Sequence, residues 1–322
     1  MNNKLYTPLL QKEIKEVESY IQNRFEKTNY KLNDNFMEIL NAGGKRIRPA
    51  FVFLSGELFG ENKKALFRFA AAIEMIHMST LVHDDIIDRA EQRRGKPTLN
   101  SKFGNPWALY AGNYLFAEAL DLIEPEKNKE IARVMSDSAV KIVEGELLQH
   151  LAVFDTNQSI RDYLKRIRGK TALLLALSCQ VGAMAASKSP EKVNKMYNFG
   201  YNLGMAFQII DDILDIEENT KTNKTKGEDL LNGHINLPAI IALKDNDSDS
   251  LELSSIIKSK FMNEDSLEKG IEIIKNKEGI NRAKEIAFRY SEKAKSFLVD
   301  FKESPVKKEL IRITDSLYER NF

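Results

Sequence analysis

An all-α bundle of ten or more helices is the fold class that the sequence predicts, and three features carry that prediction. Apolar residues recur at three-to-four spacing along nearly the whole chain. Turn-forming residues are sparse: 16 Gly and 8 Pro in 322 residues are too few for the many turns of an all-β chain. Hydrophobic residues make up 43% of the chain, enough to fill a large core.

The elements follow in order. Residues 8–27 alternate apolar and charged positions, as an amphipathic surface helix does. A second helix is predicted over 31–42, ended by Gly43-Gly44. Two more are predicted over 49–59 and 62–88. The stretch 69–82 carries Glu74 as its only charge, so its helix should be buried on most sides. Residues 89–103 contain Gly95, Pro97 and Asn100 and read as a loop. Helices are predicted next over 104–123, 127–153, 158–186 and 190–219. The polar segment 220–233 carries Gly227 and Gly233 and reads as a mobile loop or lid. Further helices are expected at 235–244, 250–261, 265–275, 279–301 and 305–318. No convincing strand, repeat or flexible linker interrupts them, so residues 1–322 are expected to form one domain. The C-terminal third reads as structural.

Lys plus Arg number 48 and Asp plus Glu 47, a net charge of +1, which excludes nucleic-acid binding through bulk positive charge. Cys179 is the single cysteine, so no internal disulfide can form, and its apolar surroundings predict a buried, inert thiol. The N-terminal stretch has scattered charges and no apolar stretch of the secretory kind. Residues 171–186 form the longest apolar run, short of the roughly 20 residues that span a bilayer, and are expected to be a core helix. The expected location is cytoplasmic.

Two acidic motifs dominate the chemistry. Asp84-Asp85-Ile86-Ile87-Asp88 and Asp211-Asp212-Ile213-Leu214-Asp215 share the form D-D-x-x-D, and each follows a long apolar helix. Residues four apart on a helix differ by about 40° of rotation, so Asp84 and Asp88 share a face, as do Asp211 and Asp215. Clustered carboxylates at the end of a buried helix repel one another and call for a cation. All-oxygen ligation suits Mg²⁺, which bridges to phosphate oxygens. Two basic clusters accompany them: Gly43-Gly44-Lys45-Arg46-Ile47-Arg48-Pro49 and Arg93-Arg94-Gly95-Lys96. Arginine grips a diphosphate bidentately and lysine adds a point charge. Carboxylate-bound Mg²⁺ with nearby cations describes a polyphosphate site.

On these residues the sequence resembles the trans-type polyprenyl diphosphate synthases. The likeness runs from Gly43 to the end of the chain. It is strongest over residues 74–85, which are similar to the family's first aspartate-rich helix. Gly145-Glu146-Leu147-Leu148-Gln149, Arg168-Gly169-Lys170-Thr171 and residues 229–234 also match family patterns. Within the family the chain is most similar to component II, the catalytic subunit, of two-component heptaprenyl or hexaprenyl diphosphate synthases. The resemblance implies an isoprenoid synthase-like bundle around a central cavity. It implies three Mg²⁺ ions held by Asp84, Asp88 and Asp211, with Asp85, Asp212 and Asp215 supporting them through waters. Arg93, Lys170 and Lys224 would contact the allylic diphosphate. Lys45, Arg48, His77 and Arg94 would hold isopentenyl diphosphate. Thr171 and Gln208 would turn oxygens toward a carbocation. The family's Gly-Lys-Pro loop is replaced here by Asn223-Lys224-Thr225, which makes Lys224 an unusual member of that set.

The implied reaction breaks the allylic C–O bond, and the double bond of isopentenyl diphosphate attacks the resulting carbocation. Product length is expected to depend on the helix before Asp84. Ser79 lies five residues before it, and Ile76 and Ile73 lie one and two turns deeper. Family members with short products commonly place Phe or Tyr near this position, and some carry a two-residue insertion in the first motif. A small Ser79 and no insertion therefore imply, by the resemblance, a product of about C30 to C40 for a quinone side chain. The alternative is a self-sufficient homodimer making farnesyl or geranylgeranyl diphosphate. A homodimer or a heterodimer with a small regulatory subunit is expected, with transient membrane contact at product release. A metal phosphohydrolase needs more histidine ligands than His77, His83, His150 and His234 provide. A terpene cyclase gives no reason for the 43–48 basic loop. An inactive regulatory subunit does not account for two intact acidic motifs.

Overall fold

Leu10, Ile14, Val17, Ile21 and Phe25 recur on one face of helix α1 (Pro8–Glu26) and are all buried, as their spacing requires. The computed structural model describes residues 6–26, 33–41, 44–60, 63–93, 95–123, 129–187, 189–217, 226–245, 247–260 and 264–319. After α1 come α2 (Asn33–Asn41), α3 (Ile47–Glu57), α4 (Lys63–Ile87), α5 (Leu99–Phe103), α6 (Asn105–Asp121) and α7 (Lys129–Leu151). Next are α8 (Ile160–Ile167), a π-helical turn (Arg168–Ala172), α9 (Leu173–Ala186) and α10 (Pro190–Ile216). The C-terminal part holds α11 (Glu228–Leu231), α12 (Leu237–Ala242), α13 (Ser248–Lys258), α14 (Glu264–Asn276), α15 (Gly279–Ser296) and α16 (Pro305–Glu319). The expected all-α architecture is what forms.

Helix α9 lies at the centre and packs against α3, α4, α7 and α10. It is apolar on every side because it is surrounded on every side. The stretch Ile160–Ala186 is long and apolar enough to cross a membrane, yet 72% of its apolar window is buried within the bundle. Cys179 sits fully buried on α9, and burial pushes its thiol up to about 12. Gly182 makes the tight α3–α9 contact possible, since a Cβ there would lie 2.2 Å from the carbonyl oxygen of Val52.

The core has two lobes. One joins α1, α3, α4, α6 and α9; the other joins α8, α10, α12, α14 and α15. Helix α10 contributes to both: Met196, Phe199 and Leu203 to the first, Met205, Ile209 and Ile213 to the second. Its C-terminal end, with the second acidic motif, is thereby fixed relative to α4, which carries the first.

Of the predicted loop 220–233, residues 220–225 lie outside the described residues and the rest contains the short helix α11. Two further local features depart from the sequence expectations. The predicted loop 89–103 contains a two-residue antiparallel ladder, Gln92–Arg93 against Lys96–Pro97, and the short helix α5. Side-chain bonds impose this order. The Thr98 hydroxyl donates to the Ala90 carbonyl at 2.6 Å, and Asn100 donates to the carbonyls of Asp85 and Ala90 at 3.1 Å each. The predicted continuous helix 158–186 is interrupted by the π-turn at 168–172, a distortion that frequently marks functional positions.

Candidate active site

The first acidic motif sits at the end of α4. Asp84 and Asp85 lie on its last turn, and Asp88 follows with its amide still bonded to the Asp84 carbonyl at 2.8 Å. Arg93, on the hairpin, donates from Nε to Oδ1 of Asp85 at 2.7 Å. The turn-and-hairpin order after α4 therefore aims one predicted cation back at the motif. Burial raises the pKa values of Asp84 and Asp85 against the pull of Arg93 and, for Asp84, of Lys170; Asp88 pushes both further up.

Lys170 occupies the π-turn beside α7. Gly145 and Gly169 let the two backbones meet: a Cβ on either would lie 2.5 Å from the other's Cα. That close approach brings Glu146 next to Lys170. Burial opposes the lysine's charge, but Asp84, Glu146, Asp229 and Asp88 together raise its pKa. Glu146 is pushed up to about 7, by burial first and then by Asp84 and Asp88, despite Lys170. The sequence contains Glu146 within a recognisable pattern, but only its position beside Asp84 and Asp88 reveals its part in the charge cluster.

The second motif ends α10. Its three aspartates are not equivalent. Asp211 and Asp215 are half-buried, whereas Asp212 is buried at 5% exposure. Asp212 accepts from the Tyr163 phenol at 2.7 Å and from Nε2 of Gln208 at 2.9 Å. Burial, then Asp229, pushes it up to about 7 against those two bonds. Gln208 in turn accepts from the Thr171 hydroxyl at 2.6 Å. Thr171 and Gln208, paired in the sequence reading, are thus in direct contact.

A turn links the two motifs. The Gly227 amide donates to the Asp215 carbonyl at 2.8 Å, and the Asp229 amide reaches Oδ2 of Asp215 at 3.3 Å. Five residues on, Nε2 of His234 stands 3.7 Å from Oδ1 of Asp88, an electrostatic contact rather than a hydrogen bond. Burial would raise Asp88, but His234, Lys170 and Arg93 outweigh it and hold its carboxyl low. Asp229 and His234 belong to a family-like segment, yet nothing in their spacing discloses this bridging.

The basic segment at the start of α3 divides its cations. Lys45 and Arg48 are half-buried, as is His77 on α4. Arg46 instead turns inward with a left-handed backbone, φ 49°, and binds Oε1 of Glu18 at 2.7 Å and Oε1 of Glu74 at 2.8 Å. A third bond goes to the Leu40 carbonyl. Arg94 and Lys224 lie outside the described residues, as does Gly43. On α4, Ser79, Ile76 and Ile73 are all buried, and the Ser79 hydroxyl donates to the Gly112 carbonyl of α6 at 2.8 Å.

The donor chemistry fits a hard divalent cation. The titratable groups of both motifs are oxygen ligands, and burial together with repulsion from neighbouring carboxylates raises Asp84 and Glu146. Among the described residues, no three such groups converge on one preformed metal position. A cation there would draw remaining ligands from water or phosphate.

The family model described as polyprenyl synthetase matches residues 29–274. This chain belongs to the polyprenyl synthetase family. It is 39% identical over 294 residues to heptaprenyl diphosphate synthase component 2 of Bacillus subtilis (strain 168), covering 90% of this chain and 83% of the relative. The crystal structure of heptaprenyl diphosphate synthase from Staphylococcus aureus superposes with a TM-score of 0.89 at 35% identity, covering 97% of this chain and 99% of that one. That of a polyprenyl synthase from Caulobacter crescentus CB15, complexed with calcium and isoprenyl diphosphate, gives 0.91 at 29% identity, covering 98% and 96%. The fold is the isoprenoid synthase fold, and the chain is a prenyltransferase that makes polyprenyl diphosphates.

Proposed function

We propose that this polyprenyl synthetase extends an allylic diphosphate with isopentenyl diphosphate to a product of about C30 to C40, for use as a quinone side chain. The observation that carries the reading is the pairing of two D-D-x-x-D motifs across Lys170 and the 227–234 turn. Medium- and long-chain names among the relatives support the product class, including a nonaprenyl diphosphate synthase of Mycobacterium tuberculosis. Residues 1–322 are read as one synthase unit.

In this reading Asp84, Asp88 and Asp211 would hold Mg²⁺, with Asp85 and Asp215 behind them. When bound, Mg²⁺ offsets the negative charge that grows on the leaving diphosphate. Lys170 and Arg93 contribute fixed positive charge to the same diphosphate, and Lys224 joins them from the 220–225 segment. Lys45, Arg48, His77 and Arg94 hold isopentenyl diphosphate. As the allylic C–O bond breaks, its electron pair leaves with the diphosphate. The alkene of isopentenyl diphosphate supplies the pair for the new C–C bond, and a proton is lost to the departing diphosphate. Thr171 and Gln208 face the transient cation with oxygen. The apolar walls of α4, α9 and α10 exclude water, which would quench it.

The growing tail runs along α4 past Ser79, Ile76 and Ile73. Trp107, Leu109, Tyr110 and Leu120 of α6 and Val140, Val143 and Leu147 of α7 are exposed apolar residues. They form the face for a second subunit, either another copy or a small partner of the kind that the name "component 2" implies for the Bacillus relative. The enzyme works in the cytoplasm and touches the membrane to release its product. Incubating the purified chain with farnesyl diphosphate, labelled isopentenyl diphosphate and Mg²⁺ tests the reading. Labelled C30–C40 product from the chain alone supports self-sufficiency, product only after adding a small subunit supports the two-component form, and products ending at C15 or C20 overturn the chain-length assignment.

A further inference from the structure

The geometry points to Tyr163 and Asp212 as positioning residues that fix which end of the Thr171 hydroxyl faces the reaction. The inference rests on reading Thr171 as a cation-facing oxygen. It starts from the unequal second motif. Both carboxylate oxygens of Asp212 are engaged by the protein, Oδ2 by the Tyr163 phenol at 2.7 Å and Oδ1 by Gln208 at 2.9 Å. Tyr163 is fully buried at 0% exposure, so its hydroxyl has no solvent to turn toward.

Hydrogen-bond polarity then propagates in one direction. In the observed arrangement Asp212 accepts at both carboxyl oxygens, so Gln208 presents its NH₂ to Asp212. The amide's oxygen is therefore turned the other way, toward Thr171. That oxygen only accepts, so the Thr171 hydroxyl must donate its hydrogen over the 2.6 Å contact. What remains for Thr171 to present elsewhere is lone pairs. A lone pair stabilises a developing carbocation, while a hydroxyl hydrogen would repel it. If the amide turned over, Thr171 would accept from Gln208 and aim its hydrogen at the cation. Asp212, held by Tyr163, prevents this turn. Its role thus differs from the metal support that its place in a D-D-x-x-D motif implies.

A double-mutant cycle between Tyr163→Phe and Thr171→Val tests the relay. Tyr163→Phe is expected to lower kcat about tenfold in the parent enzyme, a loss in the range for one hydrogen bond to a charged group. The KM for each substrate and the Mg²⁺ concentration for half activity should stay within twofold. In the Thr171→Val background the same change should cost less than twofold, because there is no hydroxyl left to orient. Thr171→Ser, which keeps the hydroxyl, should restore the full tenfold sensitivity. Equal losses in both backgrounds would overturn the relay and leave Tyr163 a packing residue. Recovery of Tyr163→Phe at high Mg²⁺ would overturn it in favour of metal support. A Thr171→Val enzyme with unchanged kcat would overturn the reading of Thr171 itself, an outcome distinct from additivity. Should Tyr163→Phe fail to fold, Asp212→Asn enters the same cycle with the same expectations.

Discussion

Arg46 donates from Nη1 to Oε1 of Glu74 at 2.8 Å, and both side chains are almost completely enclosed, at 7% and 4% exposure. The pair ties the start of α3, where Lys45 and Arg48 flank Arg46, to the helix that carries His77 and Asp84. Removing one partner leaves the other charge buried alone. Arg46→Met is therefore expected to destabilise the protein by about 3–5 kcal/mol, and Arg46→Met with Glu74→Met to recover part of that loss. Urea unfolding of the three proteins checks this. A single variant as stable as the parent would show that the pair does not hold the start of α3.

The Gly145–Gly169 contact leaves no space for a methyl group, since the added Cβ would lie 2.5 Å from backbone rather than from a side chain that could move. Gly145→Ala should push the π-turn away from α7 and displace Lys170 and Thr171. Turnover is expected to fall at least about tenfold, in line with the sensitivity of catalysis to misplacement on the order of 1 Å. Steady-state kinetics decide it, and unchanged turnover would mean that the contact does not position Lys170.

Glu146 gives a pH signature in the metal-free protein. Its folded pKa is raised from 4.5 to about 7, so the folded state binds its proton more tightly than the unfolded chain does. Its contribution to stability is complete below pH 4.5 and is lost as pH rises through about 7. Glu146→Gln cannot ionise. The variant should thus gain thermal stability relative to the parent on going from pH 5 to pH 8, a gap about constant across that range being the contrary result.

Product length should answer to Ser79. Its hydroxyl closes the seam between α4 and α6 by bonding to Gly112. Ser79→Phe puts a ring into the proposed tail path while leaving Asp84, one turn and more away, in place. Chromatography of dephosphorylated products should show a shift toward C15 or C20 with the first additions retained. An unchanged product from an active enzyme would move the tail path elsewhere.

Much of the fold was legible because helix periodicity is a local property. Predicted and observed bounds agree within a few residues for α1, α4, α10 and α16, whose apolar stripes or runs are long. The hairpin at 92–97 and helix α5 were not legible, since bonds from Thr98 and Asn100 to the end of α4 impose them. At the π-turn Gly169 meets Gly145 of α7, a contact between residues far apart in sequence. In the site, identical D-D-x-x-D spacing marks both motifs but cannot separate Asp212 from Asp85. One meets Tyr163, a residue 49 positions away; the other meets Arg93, eight away. Arg46 reads like its basic neighbours because burial against Glu74 has no local signal. Glu146, Asp229 and His234 acquire their roles only where α7, α10 and the 227–234 turn converge on Lys170.

The joint action of both acidic motifs on a Mg²⁺–diphosphate complex is tested most directly by turnover of Asp84→Ala and Asp211→Ala across a Mg²⁺ titration, with folding confirmed by circular dichroism. Each variant is expected to stay folded and to lose on the order of a thousandfold or more in kcat at saturating Mg²⁺, as removal of charge stabilisation from a transition state does. Near-parent turnover by either variant at saturating Mg²⁺ would contradict the assignment of both motifs to the reaction.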